Sequence, residues 1–423
     1  DDVRFAAYAS TTYPLWAVQF HPEVQHSVEG QKMIHHFLYD VCKCTGDWKM
    51  ASFVEEQVSL LKNKIGSGKV LLALSGGVDS SVTAGLLKEQ GYEVIGITLR
   101  LWEEEPTCKV ERNIHACCSL DSVNDAKAVA DVLGIRHYTL DFRDVFRHDV
   151  IDYFIDSYAH GKTPNPCIAC NRFIKFGLLW DQAQQFGANL LATGHYARIV
   201  YDNERKIYTL RRGKDERKDQ SYVLYQLTQD LLKHIIFPMA DLEKTKTREL
   251  AKEWGLPVFN KPESQDICFI PDNDYKGFLK KEAPYIFKAG RFTDGQGRTV
   301  GTHKGIAAYT IGQRRGLNLG GPGGPYYVVS LDEKNNEVRV GSERELFSAE
   351  IKAHDVTWTE TVREEPFKAY GKIRYAAQAA PCTVYPAGNE MKVVFDKPQR
   401  AATAGQALVL YEDDRVLGGG TIT

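Results

Sequence analysis

The sequence predicts an α/β protein in which a doubly wound parallel sheet is followed by a small central β-rich domain and a C-terminal β-barrel. Three observations support this fold class. Short apolar strands alternate with helical stretches up to about residue 270, a pattern typical of a parallel sheet covered by helices. After residue 271 the chain is rich in Gly and turn signals. From about residue 346, period-2 strands such as "EMKVVFD" indicate a small barrel.

These changes of texture divide the chain into four segments. Residues 1–45 contain "YPLWAVQFHPEV" and "GQKMIHHFLYDVCKC", which predict a strand, a turn and a short amphipathic helix. We expect the α/β domain over residues 46–270, the central domain over 271–345 and the barrel over 346–423. The parallel strands of the α/β domain are predicted at Val70–Leu74, Val94–Leu99 and Leu190–Thr193.

Composition restricts the classes of function. The chain has 423 residues, and its 53 Lys and Arg nearly balance its 55 Asp and Glu, so any nucleic-acid site must be a local basic patch. No apolar run approaches the roughly 20 residues of a membrane span, and a signal peptide pattern is absent. We therefore expect a soluble, cytoplasmic protein with no membrane partner. In that reducing compartment, the nine cysteines are expected to be reduced, catalytic or metal-bound.

The stretch "LLALSGGVDSSV" predicts a phosphate-binding loop. It consists of an apolar strand, a Ser-Gly-Gly turn and a helix that begins near Asp79. Gly76 and Gly77 permit backbone conformations that line an anion with N–H groups, and the helix start adds further N–H donors. The loop has neither the Lys nor the spacing of GxxxxGK[ST]. The alternative is an ordinary strand–turn–helix rich in small residues.

The hexapeptide SGGVDS resembles the PP-loop of the ATP pyrophosphatases, which bind the pyrophosphate of ATP and attach AMP to a substrate oxygen. The resemblance implies an adenine nucleotide alpha hydrolase-like sheet, with ATP and Mg²⁺ as cofactors and Asp79 acting through the metal. The residues that it implies in ATP binding are Ala73, Leu74, Ser75, Gly76, Gly77, Val78, Asp79, Ser80, Leu99 and Gly194.

Residues 1 to about 68 resemble the end of the glutamine amidotransferase domain of GMP synthase and the segment that follows it. His21 and Glu23 match the His and Glu of its catalytic triad, whereas this chain contains no match to the triad Cys. Glutamine hydrolysis needs that nucleophile. We interpret residues 1–45 as a remnant or attachment without glutaminase activity.

From residue 70 to residue 423, successive blocks resemble the tRNA-specific 2-thiouridylases. They include "CCSLDSVNDAKAVADVLGI", "TPNPCIACNRFIKFG", "LATGHYAR", "KDQSYVLYQL", "KPESQDICFI", "YTIGQRRGL" and "PQRAATAGQALVLY". The resemblance implies ATP-dependent 2-thiolation of the wobble uridine of tRNA, through an adenylated uridine and an enzyme cysteine persulfide. It implies tRNA as a partner, together with a persulfide donor such as a cysteine desulfurase or relay protein.

The resemblance also implies roles for two cysteines. Cys170 is the implied nucleophile and Cys268 carries the persulfide, with a disulfide between thiols left after transfer. Many family members have Asp where this chain has Cys167, so the role of Cys167 stays open. The three cysteines together would also suit a [4Fe-4S] cluster with one open iron. A zinc site is the weaker alternative because a second ligand pair is missing.

Further residues are implied in tRNA binding. A lone His such as His195 is more often structural, and the basic run "RRGKDERKDQSY" can equally be a solvated face. Basic side chains beside an aromatic also suit a phosphate backbone and flipped bases. The implied contacts are Asn165, His195, Lys218, Asp219, Gln220, Arg314, Arg315, Arg374, Tyr375 and Gln406.

Two rival functions remain at this stage. The first is a GMP synthase-like ATP-dependent amidation, which the N-terminal stretch and the shared loop suggest. The second is a tRNA-binding protein with an inert loop. Cys170, Cys268 and the barrel argue against the first rival because amidation does not require them, and the intact SGGVDS argues against the second.

Overall fold

The computed structural model describes residues 7–9, 16–18, 22, 29–44, 68–102, 120–262, 267–270, 272–320 and 325–423. The chain forms two compact units, Asp1–Lys64 and Ile65–Thr423. In the first unit, β1 (Ala7–Ala9) pairs antiparallel with β2 (Trp16–Val18), and the helix Gly30–His35 continues as a π-helical segment, His36–Val41. His21 and Glu23 lie outside the described residues.

A five-stranded parallel sheet organises the first part of the second unit. Its strands are β3 (Lys69–Ala73), β4 (Glu93–Arg100), β5 (Arg136–Asp141), β6 (Leu190–Ala192) and β9 (Ile235–Ile236). The strand order is β5-β4-β3-β6-β9, and every pairing is parallel. The chain therefore winds outward from β3 in both directions. The loop after β3 lies at the switch point, where open α/β sheets place their ligands.

Helices cover both faces of this sheet. Val70 and Leu72 pack into a core with Val82 of one helix and Val129 of another, while Leu71, which points to the opposite face, is also fully buried. The α-helices are Val78–Glu89, Leu120–Leu133, Arg143–Phe146, Tyr153–Ala159, Pro166–Ala169, Leu179–Gln185, Gln229–Leu232, Lys244–Glu253 and Tyr275–Glu282. The π-helical segments Arg147–Asp152 and Cys170–Leu178 join neighbouring helices, and 3₁₀ turns occur at Ser221–Leu224, Pro284–Ile286, Ile306–Ala308 and Glu343–Leu346.

The central region is a small four-stranded sheet. Its strands are β10 (Gly290–Thr293), β11 (Thr299–His303), β12 (Tyr327–Asp332) and β13 (Glu337–Gly341), in the order β11-β10-β13-β12. Phe292, Val328, Val338 and Val340 are fully buried in its own small core.

The C-terminal region is a closed barrel of six strands. They are β14 (Phe347–Trp358), β15 (Phe367–Lys372), β16 (Ala380–Ala387), β17 (Glu390–Arg400), β18 (Ala407–Glu412) and β19 (Arg415–Ile422). Pairing of β14 with β19 closes it. The hairpin of β7 (Ala197–Asp202) and β8 (Ile207–Arg212) extends from the α/β region and pairs with β19. The predicted fold class is confirmed in all three regions.

Candidate active site

The loop after β3 is shaped by its own serines. The Ser75 N–H donates to Ser80 Oγ at 3.1 Å, and the Ser80 hydroxyl donates to the Gly77 carbonyl at 3.1 Å. The Ser81 hydroxyl donates to the same carbonyl at 2.7 Å. Gly77 occupies the N-cap position of the helix Val78–Glu89 and has no side chain to cap it. The first N–H groups of that helix therefore point into the space where an anion would bind.

Two glycines let neighbouring backbone segments pack closely around the loop. Gly76 has φ +68°, and a Cβ there would lie 2.2 Å from the Ser122 carbonyl oxygen. A Cβ on Gly194 would lie 2.9 Å from the Ser80 backbone nitrogen. A larger residue at either position would displace the loop. The backbone N–H groups of such a glycine loop suit the phosphates of a nucleoside triphosphate.

Asp79 is the acidic group of the loop. Its Oδ1 accepts hydrogen bonds from the Tyr196 hydroxyl at 2.9 Å and from Lys244 Nζ at 2.5 Å. The Tyr196 hydroxyl also lies 3.0 Å from Thr247 Oγ1. A single carboxylate completed by phosphate oxygens and water is the donor set that Mg²⁺ commonly takes at nucleotide sites.

A second lysine lies on the other flank of the loop. Lys261 Nζ donates to the Gly76 carbonyl at 3.1 Å and to Asp125 Oδ2 at 2.6 Å. Lys244, Lys261 and Tyr196 are not among the site residues predicted from the sequence. All three occur within the blocks "FPMADLEKTKTREL", "KPESQDICFI" and "LATGHYAR", but no spacing rule connects them to the loop.

The paired cysteines lie at the beginning of a short helix. Asn165 caps it, because its Oδ1 accepts the Cys167 N–H at 3.1 Å and the Ile168 N–H at 3.4 Å. Cys167 is exposed, whereas Cys170 is only 8% exposed. Asn165, expected to contact tRNA, thus has a defined structural contact as the cap of the CxxC helix.

The barrel holds the turn that precedes these cysteines. The Thr163 N–H donates to the Ala404 carbonyl at 2.8 Å, and Gln406 Nε2 donates to the Thr163 carbonyl at 2.8 Å. A Cβ on Gly405 would lie 3.0 Å from the Thr163 nitrogen. Gln406 is thereby placed beside the CxxC turn although more than 200 residues separate them in the chain.

Asp219 connects the basic run to the barrel. Its buried carboxylate accepts the Gly213 N–H at 3.2 Å, the Ser221 N–H at 3.1 Å and the Ser221 hydroxyl at 2.9 Å. The Tyr375 hydroxyl donates to the Asp219 carbonyl at 3.1 Å. Burial raises the pKa of Tyr375, and the charges of Asp219 and Cys167 raise it further. Three predicted site residues, Cys167, Asp219 and Tyr375, therefore lie together.

His195 is buried, with 8% of its surface exposed. Its Nδ1 lies 2.7 Å from Thr193 Oγ1, and its ring contacts Phe176 and Phe237. Burial, with a smaller contribution from Lys175, lowers the pKa of His195 well below its ordinary value. The imidazole is therefore neutral near pH 7, and the contacts described here are made within the protein.

The remaining predicted contacts occupy varied environments. Arg314 and Arg315 are exposed, while Arg374 Nη2 donates to the Arg400 carbonyl at 2.7 Å. Gln220 Oε1 accepts the Tyr196 N–H at 3.0 Å. Lys218 is half-buried, and Leu99 is buried near the end of β4.

Cys268 is half-buried, and residues 263–266 before it lie outside the described residues. The next residue, Phe269, packs against Phe146 and Phe154 with ring centroids 5.8 and 5.4 Å away. The helix that carries Cys167 contacts the intervening segment Arg147–Asp152. The two cysteine-bearing segments thus pack on one helical stretch.

Within the described ranges, no three His, Cys, Asp or Glu side chains are arranged to hold a metal ion. Cys167, Cys170 and Cys268 are all described, and they form no such set in this structure. In the same part of the chain, every helix is too short or too polar to span a bilayer.

Comparisons with known proteins bear on each region. Family profiles match a "tRNA methyl transferase HUP domain" over residues 68–272, a "tRNA methyl transferase PRC-barrel domain" over 276–342 and an "Aminomethyltransferase beta-barrel domain" over 348–422. A class-I glutamine amidotransferase profile matches residues 1–41.

Curated relatives cover most of the chain. The tRNA-specific 2-thiouridylase MnmA of Carboxydothermus hydrogenoformans is 51% identical over 361 residues, which are 85% of this chain and 98% of that protein. The proteins of the same name from Clostridioides difficile and Clostridium acetobutylicum are each 48% identical over 84% of this chain and 98% or 99% of their own. The chain belongs to the tRNA-specific 2-thiouridylase family. The GMP synthase-like alternative is not favoured.

Solved structures add nothing to the assignment to the 2-thiouridylase family. NMN synthetase from Francisella tularensis is 19% identical with a TM-score of 0.28, covering 52% of this chain and 76% of its own.

Proposed function

We propose that this protein catalyses ATP-dependent 2-thiolation of the wobble uridine of tRNA, through an adenylated uridine and a persulfide on Cys268. The named activity of its relatives supports the substrate. The observation that carries the proposal is a series of direct contacts from the phosphate loop to the CxxC helix. Tyr196 bonds to Asp79 and to Gln220, Tyr375 bonds to the adjacent Asp219, and the CxxC helix packs on the turn Ser221–Leu224 that follows.

In the proposed first step, the uridine O2 attacks the α-phosphorus of ATP and pyrophosphate leaves. The loop N–H groups hold the departing pyrophosphate, where donors fixed in advance stabilise developing charge at little reorganisation cost. Asp79 would hold Mg²⁺, which neutralises phosphate charge when bound. Adenylation makes C2 electrophilic and O2 a leaving group.

In the second step, the terminal sulfur of the Cys268 persulfide attacks C2, and AMP departs with O2. The Cys170 thiolate then attacks Sγ of Cys268, so that the S–S bond breaks and 2-thiouridine is released. A Cys170–Cys268 disulfide remains, and an external dithiol must reduce it. A cysteine desulfurase or relay protein supplies the persulfide sulfur.

The profile descriptions name methyl transfer, whereas the curated relatives are named thiouridylases. Methyl transfer needs a methyl donor and has no use for a pyrophosphate cradle, so the loop supports thiolation. We propose catalysis by residues 46–270, with residues 271–345 and 346–423 contributing Arg314, Arg315, Arg374, Tyr375 and Gln406 to tRNA binding.

The test is nucleoside mass spectrometry of tRNA incubated with the protein, ATP and a persulfide donor. We expect 2-thiouridine at the wobble position. Asp79→Ala should abolish both 2-thiouridine and ATP–pyrophosphate exchange while tRNA binding persists, because the carboxylate serves the nucleotide. Exchange at the unmodified rate in Asp79→Ala would remove Asp79 from the mechanism, and absence of 2-thiouridine with the unmodified protein would remove the function.

A further inference from the structure

Two lysine side chains flank the phosphate loop from outside it. Lys244 begins the helix Lys244–Glu253, and Lys261 follows that helix. Each side chain is only 12% exposed, which is unusual for lysine. Both ammonium groups contact the loop itself or its acidic neighbours.

The lysines approach opposite ends of the turn. Lys244 Nζ lies 2.5 Å from Asp79 Oδ1, and the same Nζ lies 5.9 Å from the centre of the Tyr196 ring. Lys261 Nζ lies 3.1 Å from the Gly76 carbonyl oxygen and 2.6 Å from Asp125 Oδ2. An ammonium group therefore lies at each end of the loop segment 76–79.

The two lysines are already paired with carboxylates, and their charges become available to an anion only when another cation takes a carboxylate. Lys244 and Lys261 are balanced by Asp79 and Asp125, so the four side chains are neutral together. The loop, unlike GxxxxGK[ST], contributes no lysine of its own. Pyrophosphate brings three or four negative charges that backbone dipoles alone do not neutralise. The lysines are the cations in place to do so.

Asp79 Oδ1 cannot bind a divalent cation and keep its short hydrogen bond from Lys244 at the same time. A Mg²⁺ ion that took Asp79 Oδ1 would displace the Lys244 ammonium from it. The displaced group lies beside the loop, and the nearest new partner would be a phosphate oxygen. Metal and lysine would then both be paired with opposite charge.

We propose that Lys244 and Lys261 bind the pyrophosphate portion of ATP from opposite sides, and that Lys244 exchanges Asp79 for phosphate when a divalent cation binds the carboxylate. The inference rests on the proposed function only in taking ATP as the substrate. It makes both lysines ligand-contacting residues and gives Lys244 a second role as the resting counterion of Asp79.

This exchange predicts effects of opposite sign for one substitution. Lys244→Gln removes a competitor for Asp79, so Mn²⁺ alone should bind more tightly. The same substitution removes an ammonium group, so inorganic pyrophosphate at saturating Mg²⁺ should bind about tenfold more weakly, equivalent to about 1.4 kcal/mol. Lys261→Gln should weaken pyrophosphate binding similarly and leave Mn²⁺ binding unchanged. A purely structural lysine would not separate the two ligands in this way.

The experiment uses the full chain. Inorganic pyrophosphate binding is measured by isothermal titration calorimetry, and Mn²⁺ binding by electron paramagnetic resonance. Lys246→Gln is the matched control, since Lys246 lies on the same helix, is 53% exposed and pairs with Glu249. Lys244→Arg and Lys261→Arg keep the charge and should retain pyrophosphate binding within about threefold. Circular dichroism establishes that each variant is folded.

Unchanged pyrophosphate affinity in folded Lys244→Gln and Lys261→Gln would overturn the proposal. If the Gln variants do not fold, loss of pyrophosphate binding in both folded Arg variants would overturn it as well. Failure of the proposed function looks different. A protein that binds pyrophosphate through these lysines but makes no 2-thiouridine would refute thiolation and retain the lysine assignment.

Discussion

Cys167 and Cys170 have different surroundings although only two residues separate them. Cys167 is exposed at the first turn of its helix beside Tyr375, whereas Cys170 is buried. The exposed position can accommodate a carboxylate, because a charged group there keeps its hydration. The buried thiol has no such freedom, since a charged replacement would lose its hydration.

We expect Cys170→Ser and Cys268→Ser each to stop sulfur transfer and retain ATP–pyrophosphate exchange, because activation and sulfur delivery use different groups. Cys167→Asp should keep most of the thiolation activity, and more than Cys167→Ala. The measurements are nucleoside mass spectrometry and the exchange assay, with exposed Cys42→Ser as the control. Iron in anaerobically purified protein, together with inactive Cys167→Asp, would favour the cluster instead.

His195 illustrates how burial decides the charge of a residue. Its lowered pKa means that the folded protein keeps the imidazole neutral, while the unfolded chain binds a proton below about pH 6.5. The stability that this residue contributes is therefore complete above pH 6.5 and decreases as the pH falls below it.

We predict that the urea midpoint decreases more between pH 7.5 and pH 5.5 in the unmodified protein than in His195→Gln. Converted to free energy of unfolding, the difference between the two proteins should not exceed about 1.4 kcal/mol per pH unit for one proton. Circular dichroism at both pH values measures it. Equal decreases in both proteins would mean that His195 does not titrate on unfolding.

Packing against neighbouring elements changes the burial pattern of strand β18. Strands of a small barrel usually turn alternate residues to solvent, yet every residue from Ala407 to Tyr411 is buried. Leu408 and Leu410 belong to the barrel core. Tyr411 points the other way, where the Arg212 guanidinium lies 4.4 Å from its ring centre. The outward face of the strand is covered by the α/β region.

The phosphate loop depends on glycine for space as well as for conformation. Gly76→Ala and Gly91→Ala both place a side chain at positive φ, which costs about 1 kcal/mol. A Cβ at residue 91 meets nothing within 4 Å, whereas at residue 76 it lies 2.2 Å from the Ser122 carbonyl oxygen. Gly76→Ala should therefore lose ATP–pyrophosphate exchange, and Gly91→Ala should retain it. Equal exchange rates would contradict the steric argument.

The chain consists of two compact units, which we expect to differ in their contribution to activity. In the first unit, residues 1–41 match a class-I glutamine amidotransferase profile, while Ile65–Thr423 contains the loop, Cys167, Cys170, Cys268 and the barrel. Removing residues 1–45 should leave thiolation unchanged. The 423-residue chain should release no ammonia from glutamine, because none of its residues matches the Cys that glutamine hydrolysis needs beside His21 and Glu23. Ammonia release by the purified protein, or loss of thiolation on truncation, would contradict this division.

The sequence by itself determined the fold class and the phosphate loop. The predicted strand Val70–Leu74 corresponds to β3 at Lys69–Ala73, and the barrel follows the predicted alternation along β17. These features depend on residues that are neighbours in the chain, where hydrophobic period and glycine spacing are directly legible. Resemblance to the 2-thiouridylase family extended the sequence-based predictions to the cysteines and the implied tRNA contacts.

Only the tertiary structure decided which distant side chains complete the site. Lys244 reaches Asp79 across 165 residues, Lys261 reaches Gly76 across 185, and Gln406 reaches Thr163 across 243. A lysine at the start of a polar helix has the same local pattern whether it faces water or a buried carboxylate. Its role depends on which distant residues the fold brings next to it, because pairing between distant residues leaves no periodic signal in the sequence.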